Sequence, residues 1–187
     1  SKDDLRVAVI KALGQIGDPR ALPVRKSLFN EDDALLRAYA ASALAAFGMG
    51  EALPSLLAGL RDSNARVRLQ CTKALARQLS PAEAAQAVPV LTWKAEYDPE
   101  RVVRLESVRT LGAIADGPSV AFLEALLVNK AAALDFRETA LSALLARTPA
   151  AAGIRTAVEQ EMAAKDQKPI EMIARVLGSP QGGLKGI

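Results

Sequence analysis

Five arginines, each preceded by an apolar residue, recur along the chain at nearly constant spacing: Leu5-Arg6, Leu36-Arg37, Val67-Arg68, Val103-Arg104 and Phe136-Arg137. Successive arginines are 31, 31, 36 and 33 residues apart. Seven residues after each stands a leucine (Leu13, Leu44, Leu75, Leu111, Leu144), itself preceded by a small residue (Ala12, Ala43, Ala74, Thr110, Ala143). Three residues after each arginine comes another modest side chain: Val9, Ala40, Cys71, Ser107 or Ala140. Self-similarity at a period of ~30 residues is the signature of stacked supersecondary units, each too small to bury its apolar face alone.

Each unit reads as two helices. In the unit of Arg104, the residues Val103, Ser107, Thr110, Leu111 and Ile114 share one face at the 3.6-residue period. A second amphipathic run follows, with Val120, Leu123, Leu126 and Leu127. Prolines in the corresponding second helices (Pro23, Pro54, Pro89) are expected in the first turn or close to it, where a missing N–H costs little, and so to mark helix starts. Half the residues are apolar but only 4% are aromatic. Alanine supplies much of that content, which favours helices and their close approach. The expectation is an all-α chain, an α-solenoid of about five helical hairpins. The extra residues around "SPAEAAQ", between Arg68 and Arg104, are expected to lengthen a loop or helix without breaking the stack.

Several kinds of chemistry are excluded by what the chain lacks. It has no histidine and one cysteine, Cys71. Histidine bases, Ser-His and Cys-His nucleophiles, histidine-ligated metals, internal disulfides and multi-cysteine zinc sites are therefore absent. The net charge of +3 is mild, and no block of five like charges occurs. No run of 18 apolar residues exists, so no membrane-spanning helix is expected. The carboxylate clusters (Glu31 with Asp32 and Asp33, Glu96 with Asp98, Glu159 with Glu161) sit near helix ends, as capping and dipole compensation require. No catalytic, cofactor-binding or metal-binding residue is assigned, and no cofactor is expected.

The stretch "KALGQIGDPRALP" at 11–23 carries two glycines that could suggest a phosphate loop. A dinucleotide fingerprint needs G-x-G-x-x-G between a strand and a helix. Gly14 instead lies at a helix end, and no strand-like run precedes it. Gly17 suits a helix C′ position of positive φ, while Asp18 and Pro19 suit the cap and first residue of the next helix. The stretch is read as punctuation between helices.

These features together resemble HEAT repeats, in the short bacterial form also found in phycobilin lyases, with a pattern like D-x-x-x-x-VR-x-x-A-x-x-ALG-x-IGD. The matching segments are Leu5-Arg6 with "KALGQIGDPRALP", "DSNARVRLQCTKAL" at 62–75 and "DPERVVRLESVRTLGAIAD" at 98–116. The resemblance implies a right-handed α-α superhelix, a HEAT-like α-solenoid. It is expected as one domain over 1–178, with units near 3–30, 31–61, 62–97, 98–130 and 131–163, a partial unit at 166–178 and a flexible tail at 179–187. It also implies a ladder in which an acid at the turn pairs with the arginine of a neighbouring repeat. Glu31, Asp62 and Asp98 stand six residues before Arg37, Arg68 and Arg104, whereas Ala131 breaks the pattern before Arg137. The chain starts at Ser1, and its first helix is expected to begin at about Asp3 as the second-layer member of its unit, whose first-layer partner would lie upstream. A fragment of a longer array or an atypical terminal unit is expected.

In proteins of this kind the arginine-bearing helices line the concave side. With the core centred at offsets −1, +3, +6, +7 and +10 from each arginine, positions +1, +5 and +9 face outward. In the third and fourth units these are Leu69, Lys73, Arg77, Leu105, Arg109 and Ala113, the first five being the candidate partner-binding residues. A leucine pair flanked by three cations could receive an acidic amphipathic segment, or its leucines could fold back onto neighbouring units. Trp93 and Tyr97, four apart on one helix, could form a ligand platform, but core packing is the first expectation. Cys71, at a small core position, is expected to be inert.

The leading expectation is a non-enzymatic, cytoplasmic protein–protein interaction scaffold. A lyase-like protein handling a ligand or chromophore is the alternative. Nucleic-acid binding is disfavoured by the few groove cations and by the placement of the only tryptophan on the other helix layer.

Overall fold

A computed structural model describes Ala8, residues 22–44 and residues 48–147. The described residues form eight α-helices and one short 3₁₀ turn. They are α1 (Leu22–Ser27), the 3₁₀ turn Leu28–Asn30, α2 (Ala34–Leu44), α3 (Met49–Gly59), α4 (Ala65–Ala74), α5 (Pro81–Tyr97), α6 (Arg101–Ile114), α7 (Gly117–Val128) and α8 (Leu134–Arg147). The chain divides into two compact units, Ser1–Thr110 and Leu111–Ile187. The "KALGQIGD" stretch, the first arginine and everything expected beyond residue 147 lie outside the described residues.

In the first unit α2 packs on α4, α4 on α3, and α3 on α5. The arginine-bearing helices α2 and α4 thus form one layer, and α3 and α5 the other. In the second unit α7 packs on α8. The core follows the repeat register. Leu36, Val67 and Val103, one before their arginines, are buried. So are Ala40, Cys71, Ser107 and Ala140 at the third position after them, and Leu44, Leu75, Leu111 and Leu144 at the seventh. Among the described −1 residues, Phe136 alone is partly exposed.

Small side chains are required because the helices touch. A methyl group on Gly59 of α3 would collide with Cys71 Sγ and Phe29 Cε1, and one on Gly112 would collide with Ala143. Where the repeat places hydroxyls in this tight seam, each is bonded. Ser107 Oγ donates to Val103 O at 2.9 Å and Thr72 Oγ1 to Arg68 O at 2.9 Å, while Thr110 Oγ1 reaches from α6 to Thr72 O on α4 at 3.1 Å. Burial also settles Cys71: it pushes the thiol up to about 12, so the reactive thiolate is suppressed.

The turns between hairpins hold the arginine ladder. Arg37 donates from Nε and Nη2 to the two carboxylate oxygens of Asp62 at 2.7 and 3.0 Å. Arg68 repeats this geometry on Asp98, with both bonds at 2.9 Å. The remaining nitrogen, Nη1, turns inward and binds two carbonyls of its own turn: Glu31 and Asp32 for Arg37, Asp62 and Ser63 for Arg68. Arg104 makes the same turn contacts, to Asp98 O and Pro99 O. Its own carboxylate partner would stand where the chain has Ala131. In its place at the next turn, Arg137 Nε donates to Leu127 O at 2.8 Å.

The same aspartates also begin the next helix. Asp62 Oδ1 accepts from Asn64 N and Asp98 Oδ1 from Glu100 N, while Asn64 caps α4 by accepting from Arg66 N. Asp33 accepts from Leu35 N at the start of α2, as the "NEDDAL" run anticipates.

Two expectations about prolines fail. Pro54 and Pro89 lie inside α3 and α5 rather than in their first turns. Both are exposed, on the sides of their helices away from the core. A buried proline would leave an unmet carbonyl without solvent, whereas an exposed one leaves it to water. In α5 the start is set instead by a capping box. Ser80 Oγ accepts from Glu83 N, Glu83 Oε2 accepts from Ser80 N, and Pro81 takes the first helical position. The residues of "SPAEAAQ" therefore lengthen a helix, which reaches 17 residues against 11 in α3.

Ala115, which follows α6, is a non-glycine residue at φ 52°. It stands eleven residues after Arg104, as Gly17 stands eleven after Arg6. Gly48, eleven after Arg37, is at φ −56°, so the left-handed stop is not shared along the described repeats, and Ala115 adopts it at a steric disadvantage. Ala115→Gly is expected to raise the unfolding free energy by up to about 1 kcal/mol, measured by urea denaturation, since relief of the left-handed strain outweighs the added chain entropy.

The ladder predicts an acid response. Burial pushes the Asp98 carboxyl up, but the hydrogen bonds from Arg68 and Lys94 outweigh it and hold the group below the ordinary carboxylate range. The Arg37 hydrogen bond depresses Asp62 in the same sense. Below the ordinary carboxylate pKa of about 4, the unfolded chain therefore binds protons that the folded chain does not. The ladder's stabilisation is present above that pKa and is lost as pH falls through the depressed folded values. Asp98→Asn leaves Arg68 and Lys94 buried without a counter-charge. It is expected to destabilise by about 3–5 kcal/mol at pH 7 and to flatten the pH dependence of the urea midpoint in the acid range.

Candidate functional site

The five residues singled out on the arginine-helix face all fall in the first unit. Their surroundings differ in ways the offset arithmetic did not anticipate. Lys73 near the end of α4 and Arg109 on α6 are exposed, both five residues after their arginines. Leu69 and Leu105, one residue after the arginines, are half-buried, and Ala38 at the same offset on α2 is buried. The +1 position thus lies in the seam between stacked helices and not on their crest. Ser42 Oγ, bonded to Gln70 Oε1 across α2 and α4 at 3.1 Å, shows how closely the outward edges of these helices meet.

Arg77 does not belong to this helical face. The α4 helix ends at Ala74, and Leu75 N already folds back to the carbonyls of Cys71 and Thr72. Counting nine residues along an ideal helix overran the true end, so Arg77 lies in the connection leading to α5. Arg109 Nη1 pairs with Glu106 at 3.2 Å, which tempers the positive field that the sequence suggested. Lys73 has no ion pair among the described residues. The face therefore carries half-buried leucines, one ammonium without an ion pair among the described residues and one arginine shared with a carboxylate. A small recess of about 230 Å³ continues it between α2 and α4, lined by Leu35, Ala38, Tyr39, Ser42, Arg66 and Gln70.

The other helix layer carries a feature that sequence reasoning placed wrongly. Trp93 and Tyr97 do not pack into the core; they are 52% and 62% exposed. The core face of α5 is spent on Ala84, Ala87, Val88, Leu91 and Ala95. At 100° per residue Trp93 points directly away from that set. The signal was available, since an alanine-rich stripe of five residues already fills the helix's inner face. The rings contact each other with centroids 5.7 Å apart, and Lys94 Nζ lies 5.2 Å from the Trp93 centroid while bonding Asp98 at 2.9 Å. Beside them is a cavity of about 560 Å³ lined by Arg61, Pro89, Val90, Trp93 and Lys94.

Among the described residues no group of histidine, cysteine or carboxylate side chains could hold a metal ion, and no helix is long and apolar enough to cross a membrane.

Comparisons with known proteins agree with this architecture. The sequence profile of HEAT repeats matches residues 23–92 and 53–145, and that of the PBS lyase HEAT-like repeat matches 5–24, the region of "KALGQIGDPRALP". No curated protein matches the chain. Among solved structures, a chain from the complex of CpcE and CpcF of phycocyanin lyase from Nostoc sp. PCC7120 is 25% identical, with a TM-score of 0.58. That match covers 85% of this chain and 99% of the other. The designed armadillo repeat protein YIII(Dq)4CqI, at 16% identity, shares the fold with a TM-score of 0.58 over 95% of this chain and 93% of its own. A computationally designed armadillo repeat protein for modular peptide recognition, also 16% identical, gives a TM-score of 0.54 over the same shares. The fold is thus the all-α HEAT/armadillo solenoid, and the chain belongs to the HEAT repeat family.

Proposed function

We propose that this HEAT-repeat scaffold is non-catalytic and binds a partner protein along the face of its arginine-bearing helices. The observation that carries the reading is Lys73, an exposed ammonium without an ion pair among the described residues, set with Arg109 beside the half-buried Leu69 and Leu105. Such a face suits an acidic amphipathic segment, whose apolar side covers the leucines while its carboxylates meet Lys73 and compete with Glu106 for Arg109. The Nostoc neighbour comes from a complex of two proteins, which supports a protein as partner.

A second reading is favoured by that same neighbour, which belongs to a phycocyanin lyase and is matched over nearly its whole length. In that case the chain would handle a chromophore. Incubation with a bilin followed by gel filtration separates the two. A visible absorption band that co-elutes with the chain supports the lyase-like reading, and no such band is expected of a pure scaffold.

For the leading reading, a partner recovered by affinity capture from the source organism is titrated against the wild type and the double variant Lys73→Glu, Arg109→Glu. Both side chains are exposed, so the fold is expected to be unaffected. A loss of affinity of at least about tenfold, or ~1.4 kcal/mol, is expected, together with a weaker salt dependence. Equal affinity in the two proteins would overturn the assignment to this face.

A further inference from the structure

The cavity beside Trp93 has the composition of a recognition pocket and belongs to the opposite helix layer from the face just described. Pro89, Val90 and Trp93 form apolar walls, and Arg61 supplies a cation at the rim. Arg61 is exposed and has no ion pair among the described residues. The second cation in the lining, Lys94, is already committed to Asp98 at 2.9 Å. The pocket therefore holds one uncompensated positive charge against an apolar wall.

The aromatic wall is held in place before any ligand arrives. Lys94 lies over one side of the Trp93 ring and Tyr97 stacks at a tilt beside it. An indole fixed in this way loses little conformational freedom on binding. Exposing it to water has no structural return, because the core face of α5 is complete without it. Tryptophan and arginine in one concave site are also the residue types that most often dominate binding energy.

We propose that this groove is a second docking site, for a protein segment that places an apolar side chain against Trp93, Pro89 and Val90 and a carboxylate on Arg61. Charge complementarity selects the occupant. A basic segment would leave Arg61 facing like charge, and an uncharged one would leave the guanidinium partly desolvated and unpaired. A protein segment suits the shape better than a small molecule, since the apolar surface continues past the cavity onto the exposed ring of Tyr97.

The test uses Trp93 as its own reporter, because it is the only tryptophan in the chain. A phage-displayed library of random twelve-residue peptides without tryptophan is selected on the immobilised protein. The enriched peptides are then titrated while Trp93 emission is followed. The expected outcome is enrichment of peptides with Asp or Glu near an aliphatic or aromatic residue, and a blue shift of the emission on binding. Affinity should fall at least about tenfold in Arg61→Glu, followed by Trp93 emission, and in Trp93→Ala, followed by isothermal titration calorimetry because that variant has no tryptophan, each with an unchanged circular dichroism spectrum and melting temperature. The Lys73→Glu, Arg109→Glu variant should bind these peptides as the wild type does, which separates this site from the arginine-helix face. Enrichment of basic peptides, no enrichment at all, or peptides that bind both groove variants unchanged would overturn the proposal. So would a concentration-dependent blue shift of the protein alone, which would identify a second copy of the chain as the occupant.

Discussion

Everything in this architecture hangs on an arginine that does two jobs with one guanidinium. Two of its nitrogens grip the carboxylate of the following turn, and the third satisfies carbonyls of its own turn. Burying such a charge pair brings desolvation that can cancel the Coulomb gain. Asp98 shows why the balance is favourable here. Its carboxylate accepts from Arg68, Lys94 and the Glu100 amide, so the ion is surrounded by donors although its side chain is fully buried. The ladder's main contribution is then register. A hairpin that slips by one residue breaks a bidentate bond and the turn contacts together.

Register in turn dictates the small side chains. Once consecutive turns are tied by a guanidinium and a carboxylate, the helices behind them approach until Gly59 meets Cys71; where Ala131 leaves the rung out, Gly112 still meets Ala143, and packing alone closes that seam. Neither seam has room for a methyl group more. Leucine at the seventh position fills the wider space between layers. The hydroxyls of Ser107, Thr72 and Thr110 are tolerated because each finds a helix carbonyl within 3.1 Å. Low aromatic content and abundant alanine are consequences of this geometry, not independent features of the chain.

What was legible in the sequence was the periodic part. The arginine offsets placed Leu36, Val67, Val103 and the four later leucines in the core, and the acids six residues upstream identified both rungs of the ladder. The errors came where a helix departs from an endless ideal one. Arg77 was assigned to a face that α4 no longer has, since the helix stops at Ala74. Pro54 and Pro89 were read as starts because proline favours first turns, yet Ser80 and Glu83 form a stronger local signal for the start of α5. Leu69 and Leu105 were placed outward by angle alone. Angle on one helix does not show how far its neighbour reaches across, and the stacked helix covers half of each leucine.

Trp93 marks the deeper limit of reading from periodicity. The spacing of 36 residues between Arg68 and Arg104 was visible as an irregularity, and so was the lone tryptophan within it. Ranking core packing above the ligand platform leads to a buried aromatic pair, which the exposure of both rings corrects. A repeat needs nothing beyond Ala84, Ala87, Val88, Leu91 and Ala95 to dock α5, and those residues were present. Residues that an architecture does not need, held rigid and facing water, are where selection for something other than folding is written. In a regular stack the shared positions account for the fold. The period breaks where a helix grows to 17 residues, and Trp93 stands on the outer side of that helix.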